Sequence, residues 1–406
     1  MPSAESTLHP RAIYVCPGDP YNSPRGGQTA FARQALNALG GDFALVAPDE
    51  LGGCPRGEWF LDSWQGAPIW RFNIGSYAPR NKSRRPFIPR RIVFRHLISK
   101  YLPKIREIPT RNLFCDSPEL LGVLRRYEWE SVCYRFAGLN NPVGASRYPK
   151  LRFLASAFHR VMIRNLTALS PECALASADQ AAIDEFTRQN PEFCAKVPLA
   201  LFPTRFDPAT YFPSDPVPLR RALGWENASP RLVMVGRLCW VKGWRLALES
   251  VARLKERYPR ISLRFVGDGE DRRKIEESAR ELGLEENVVV DGFLAPEEVR
   301  RRLVAADLFL SASFCEGWSL AFAEALACGK TCVSTLISGA RDMVRSGCNG
   351  YVVEGRSPDE YARAIERALA LASRPSSAEF SLGLSARYSL NTLAQDWRSL
   401  WSALRS

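Results

Sequence analysis

At 406 residues the chain is too long for one ordinary core and reads as two domains. Its 46% hydrophobic and 24% charged content excludes wholesale disorder, and no apolar run approaches the length of a membrane span. A net charge of +12 calls for an anionic partner, while 11 cysteines without a C-x-x-C pair argue against a zinc site and for reduced, mostly buried thiols.

The first residues carry an early Glu5 and no long apolar stretch, so no secretory signal is expected and a cytoplasmic location is. AIYVCPG then reads as a strand running into a loop that holds Gly26 and Gly27. Phe31, Ala35, Leu36 and Leu39 recur at helical spacing, Gly40-Gly41 stops that helix, and DFALVAP is the next strand. Strand, glycine loop, helix, strand is the opening of a doubly wound α/β domain.

Residues 80–106 carry ten Lys or Arg and no acid, interleaved with Phe87, Ile88, Ile92, Val93, Phe94, Leu97 and Ile98. Such a basic amphipathic stretch suits the inner face of an anionic membrane, with a solvated helix face or an acceptor loop as the bland alternative. Nothing in it matches a nucleic-acid-binding module. Further on, Pro203, Pro208, Pro213, Pro216 and Pro218 mark an extended linker.

Beyond it, RLVMVG, ISLRFVG, NVVVDG, LFLSAS and TCVSTL are short apolar or β-branched runs with a helical stretch in each gap. They predict a second Rossmann-like domain around a largely parallel sheet. At the end, Leu390, Leu393, Trp397, Trp401 and Leu404 form an apolar helical stripe, expected to dock on the N-terminal domain. The predicted boundaries are 1–203 for the first domain, 204–218 for the linker, 219–386 for the second domain and 387–406 for the returning helix.

The chemistry concentrates in SFCEGWSLAFAEALACGK. A strand ends before Phe314, and a helix is expected to start near Trp318 or Ser319, offering free N–H groups and a positive dipole end to a diphosphate. Glu324 lies roughly 9 Å further along at 1.5 Å per residue, and Glu316 precedes the helix. Carboxylates on both sides of an anion site suit a nucleotide diphosphate sugar, whose hydroxyls need acceptors at both ends. Upstream, Arg237 and Lys242 follow the strand that ends at Gly236, where two cations can neutralise a leaving diphosphate. Gly267 and Gly269 are expected to let the backbone approach a ligand, with an ordinary turn as the alternative. The two tryptophans of WVKGW read as packing rather than as an acceptor platform. No complete dinucleotide fingerprint and no P-loop is present. His9, His96 and His159 lack motif context, and none is expected to be catalytic.

The order GRL-x3-KG, VGDG, V-x-D-G-F and EGWSL-x3-EALA-x-G over about residues 232–356 resembles glycosyltransferase family 4. These are retaining, nucleotide-sugar-dependent enzymes of GT-B fold. The resemblance implies an α/β protein with two Rossmann-like domains facing a central cleft, the first binding acceptor and the second donor. It implies that Arg237 and Lys242 hold the donor diphosphate and stabilise the charge that grows on it, that Glu316 contacts the donor sugar, and that Glu324 binds the ribose. Gly317, Trp318, Ser319 and Leu320 would lie at the phosphate-binding helix start, and Gly292, Phe293 and Leu294 would meet the base. Gly26 and Gly27 match the glycine loop over the donor phosphates, with Gly236 and Gly267 beside the donor. Gly138 marks the acceptor region, where Ala137 replaces the histidine many members carry; acceptor-binding residues stay unassigned. Residue 331 is Thr for a usual Pro, and Ser319 replaces a common Gly. The implied partners are a nucleotide diphosphate sugar, UDP-linked before GDP-mannose, and a sugar or lipid-linked acceptor, without metal or cofactor. Two rival readings stay open: a nucleotide-sugar epimerase on the same fold and a non-catalytic nucleotide-sugar-binding protein.

Overall fold

A computed structural model describes residues 9–22, 27–76, 90–136, 153–168 and 173–403. The chain divides into two compact units, residues 1–204 with 392–406, and residues 205–391. Each is an α/β layer structure around its own sheet.

The strands of the first unit are β1 (Ala12–Val15), β2 (Phe43–Ala47), β3 (Trp59–Trp64), β4 (Ala67–Asn73), β5 (Asn112–Cys115), β6 (Ser131–Phe136), β7 (Cys173–Ser177) and β8 (Leu199–Leu201). They form one sheet in the order β3-β4-β2-β1-β5-β6-β7-β8, parallel except for the β3–β4 edge pair. Every residue of β1, β2, β5, β6 and β7 is buried, as helices on both faces of a parallel sheet require. The last helix, Leu393–Ala403, completes this unit: Trp397 sits 4.7 Å from Phe43, 4.8 Å from Phe114 and 5.6 Å from Phe202 between ring centroids.

The helix Arg90–Ile105 departs from the amphipathic membrane reading. Phe94, Leu97, Ile98, Leu102 and Ile105 are buried in the core of the unit, so these apolar residues are not available to a bilayer. What it exposes is Arg91, Ile92, Arg95, His96, Lys100, Pro103 and Lys104. Residues 80–89 of the basic run lie outside the described residues.

The second unit adds a sixth strand to the five expected: β9 (Arg231–Val235), β10 (Ser262–Val266), β11 (Val288–Gly292), β12 (Leu308–Ser311), β13 (Thr331–Thr335) and β14 (Gly350–Val353). Their order is β11-β10-β9-β12-β13-β14, and all pairs are parallel. Helices begin where the local chemistry directs: Pro296 at the first position with Glu297 and Glu298 in the first turn, and Pro358 behind a Ser357 side-chain cap. The proline-rich segment is not a free linker. From Arg205 it belongs to this unit, Phe206 and Tyr211 are buried in its core, and a helix starts at Pro216. The crossing back to the first unit comes at Thr392 rather than residue 387, because Tyr388 is buried here and Phe206 pairs with Ser389.

All eleven cysteines are free thiols, and no described helix is long and apolar enough to cross a membrane.

Candidate active site

Strand order reverses between β9 and β12, so chains leaving the carboxyl ends of these two strands diverge. Their pairing stops at Phe309↔Val233, which opens a crevice of the kind where such sheets bind ligands. Gly236, Arg237 and Lys242 follow β9, while Ser313, Phe314, Glu316 and Gly317 follow β12. The crevice therefore gathers the two segments singled out in the sequence.

Its centre is an ion pair: Lys242 Nζ lies 2.5 Å from Glu316 Oε1, which also accepts a 2.7 Å bond from Ser313 Oγ. The Ser313 and Lys242 side chains converge because Phe314 N–H donates to the Val241 carbonyl at 2.7 Å, tying the two loops together. Arg237 stands exposed at the end of β9, with no ion pair or side-chain hydrogen bond found for it among the described residues.

The helix after this loop starts at Leu320 rather than at Trp318 or Ser319, and runs to Ala327. Ser319 is its N-cap in extended geometry, buried, and makes no side-chain cap bond. The N–H groups of Phe322 and Ala323 return to the Ser319 carbonyl, while those of Leu320 and Ala321 find no partner among the described residues. That is the donor-rich end an anion needs. Trp318 is a packing residue: its ring lies 5.1 Å from Tyr388 and fills the space beside Gly339, where a Cβ would come within 2.7 Å of it.

Glu324 sits one turn into the helix, half-buried. Burial pushes its carboxyl up to about 7, against a hydrogen bond from the Tyr211 hydroxyl that pulls it down. Tyr211 escaped sequence reasoning because it falls in the stretch taken as linker. Ser313, the second partner of Glu316, opens the segment SFCEGWSL singled out in the sequence, but nothing there gave it a role.

Gly267 and Gly269 are required by the backbone itself. A Cβ on Gly267 would stand 1.9 Å from the Gly236 carbonyl oxygen, and one on Gly269 2.2 Å from that of Leu238. Both glycines therefore bring backbone against backbone at the strand ends. They lock the ends of β9, β10 and β11 together through Gly236 N to Val266 O and Gly267 N to Gly292 O. Phe293, just past β11, is exposed and Leu294 half-buried. The WVKGW tryptophans separate: Trp244 is buried and donates to Asp271, whereas Trp240 is 54% exposed. In the first unit Gly27 opens the helix Gly27–Leu39, while Gly26 and Gly138 lie outside the described residues. Among the described residues no group of three or more His, Cys, Asp or Glu is placed to hold a metal ion.

Comparison with known proteins agrees with this geometry. Residues 218–380 match the model of a family described as glycosyl transferases group 1. A D-inositol 3-phosphate glycosyltransferase of Corynebacterium urealyticum is 34% identical over 193 residues, 46% of this chain and 46% of that protein. The lipopolysaccharide core biosynthesis glycosyltransferase LpsE of Rhizobium meliloti is 33% identical over 151 residues, 37% of this chain and 43% of its own length. Each match thus spans less than half of the relative. Among solved structures, sucrose-phosphate synthase of Thermosynechococcus elongatus superposes with a TM-score of 0.76 at 18% identity, covering 98% of this chain and 99% of that one. HepE of Anabaena, solved with UDP and glucose, gives 0.67 at 18% identity over 97% and 100%. The fold is GT-B.

Proposed function

From a chain whose residues 218–380 are a group 1 glycosyltransferase domain, we propose a retaining glycosyltransferase that moves a hexose-type sugar from a nucleotide diphosphate donor to a hydroxyl acceptor. A UDP-sugar is the favoured donor, and surface polysaccharide, lipopolysaccharide or glycolipid assembly the favoured setting. The observation that carries the reading is the crevice at the β9–β12 reversal, where Lys242 pairs with Glu316 on the same two loops that carry Arg237 and lead to the uncapped helix start. The relative named for lipopolysaccharide core biosynthesis and the neighbour solved with UDP and glucose support donor and setting.

In this reading the diphosphate lies against Arg237, Lys242 and the N–H groups of Leu320 and Ala321, with Gly236, Gly317 and Ser319 forming its walls. As the sugar–phosphate bond lengthens, negative charge grows on the diphosphate, and these groups stabilise it without reorganising. Glu316 takes sugar hydroxyls, Glu324 the ribose hydroxyls, and the backbone of Gly292, Phe293 and Leu294 the base; Gly26 and Gly27 complete the phosphate cover. The ion pair has a consequence. An arriving diphosphate competes with Glu316 for Lys242, so donor binding hands Lys242 from carboxylate to phosphate and frees Glu316 for the sugar. We also propose that the exposed Arg91, Arg95, Lys100 and Lys104 hold the protein to an anionic membrane surface by charge, at roughly 1 kcal/mol per cation.

Thermal shift of the full chain against UDP, GDP, ADP, UDP-glucose, UDP-galactose and GDP-mannose tests the reading, with Arg237→Ala and Glu324→Ala alongside. Selective stabilisation by one base and its sugar nucleotides, lost in both variants, is the expected result. The absence of any shift at millimolar ligand would overturn it.

A further inference from the structure

The strand-end face of the second unit carries more exposed apolar surface than a phosphate site uses. Trp240 is 54% and Phe314 51% exposed, and their ring centroids lie 5.5 Å apart at an angle of 54°. Two adjacent exposed aromatic rings offer a broad apolar surface with a polar rim, suited to a ligand with a matching face.

The pair is built, not incidental. Phe314 is held by the Arg356 guanidinium, 3.5 Å from its ring centroid, and that guanidinium donates at 3.0 and 2.7 Å to the Ser313 and Ala312 carbonyls. Trp240 rides on the short turn Trp240–Lys242, and the turn is fastened to the Phe314 backbone through the Val241 carbonyl. One ring thus follows β9 and the other β12, each two residues ahead of a member of the Lys242–Glu316 pair. A Phe314 ring held in this way, with Trp240 packed against it, loses little entropy when a ligand lands on it.

We infer that Trp240 and Phe314 form an aromatic platform that takes the apolar face of a pyranose ring in the acceptor glycan. The inference rests on the reading of Lys242 and Glu316 as donor-contacting groups. A pyranose has one face of C–H groups and an equatorial rim of hydroxyls, so it fits a ring platform whose near edge is a carboxylate and an ammonium. In that reading the nucleoside lies at the segment past β11, two strands from β9, and Glu316 takes the donor sugar. What remains for rings further out on the same two loops is a saccharide reaching the donor from solvent.

The test uses the full chain with UDP or GDP, whichever binds more tightly, on an array of di- to tetrasaccharides of glucose, galactose, mannose and N-acetylglucosamine. Affinities of retained saccharides are then measured by titration calorimetry for the wild type, Trp240→Ala, Phe314→Ala and Trp240→Phe. Retention of at least one saccharide is expected, weakened about tenfold or more in both alanine variants and largely kept in Trp240→Phe. Nucleotide affinity should stay within about twofold in all three, since the proposed diphosphate partners are Arg237, Lys242 and the helix start rather than either ring. No saccharide retained by the wild type, or equal retention by the alanine variants, would overturn the platform. A parallel fall in nucleotide affinity would instead assign the rings to the donor and overturn it too. A wild type that binds neither nucleotide sinks the donor reading, and the platform with it.

Discussion

Lys242 and Glu316 already satisfy one another at 2.5 Å. In the proposed donor site the same ammonium meets phosphate and the same carboxylate meets sugar, so the pair competes with the ligand. Replacing Glu316 by Gln removes the competing charge while keeping the shape, so UDP should bind a few-fold to about tenfold more tightly as transfer slows. Calorimetry with UDP beside a single-turnover assay checks both halves. Asp116, at the end of β5, is a second informative carboxyl: burial raises it to about 7 from 3.8, only partly opposed by Arg135. The folded state then holds a proton that the unfolded chain releases. The stability gained is full below about pH 3.8 and is lost as pH rises through 7, an effect of up to about 4 kcal/mol. Thermal unfolding between pH 4.5 and 7.5 should fall in the wild type and flatten in Asp116→Asn. At Gly267, with φ of 141° and a carbonyl where a Cβ would go, alanine should cost about 3 kcal/mol or more. Gly283→Ala, in open space at φ 63°, should cost about 1 kcal/mol. Urea unfolding separates them.

At the scale of elements, two helices carry predictions. The helix Leu393–Ala403 is last in sequence yet packs into the first unit, where Trp397 is 4% exposed among Phe43, Phe114 and Phe202. Trp397→Ala should cost about 3–5 kcal/mol and lower the unfolding transition of that unit while leaving nucleotide binding by the second unit intact. Differential scanning calorimetry with and without UDP reads both. The helix Arg90–Ile105 turns its apolar side to the core and its basic side to solvent. Arg95→Glu with Lys100→Glu should therefore abolish co-sedimentation with phosphatidylserine vesicles at low salt, without changing the UDP shift. Were binding unaffected, the charge would have to be assigned to another surface.

For the whole molecule, the second unit is one continuous segment with its own core, while the first is closed by residues from the far end of the chain. Residues 205–391 expressed alone should fold cooperatively and keep the UDP shift if the donor reading holds. Residues 1–204 alone should not fold stably, because they lack the Trp397 packing. Circular dichroism melts of the two fragments distinguish these outcomes. The dependence is asymmetric because a core cannot close around a missing helix, whereas a contiguous unit contains all of its own contacts.

The order of five of the six strands in the second unit, and of the helices between them, was legible from the chain alone, because period-2 and period-3.6 patterns are local and those strands are short apolar runs; β14, in a glycine-bearing stretch, was not. The glycine- and acid-bearing loops were legible for the same reason, since their residue types announce their backbone or charge requirements. What tertiary structure decided was which of them meet. The pairing of Lys242 with Glu316 spans 74 residues and depends on β9 and β12 being neighbours, which no local pattern encodes. Tyr211 joins Glu324, and Gly267 packs against the Gly236 carbonyl, only once the strand ends are stacked. Trp240 and Trp244 are four residues apart in one motif, yet the helix that starts at Trp244 buries one and leaves the other in solvent. Residue chemistry is local and can be read from a sequence; burial and partnership arise from the packing of distant segments.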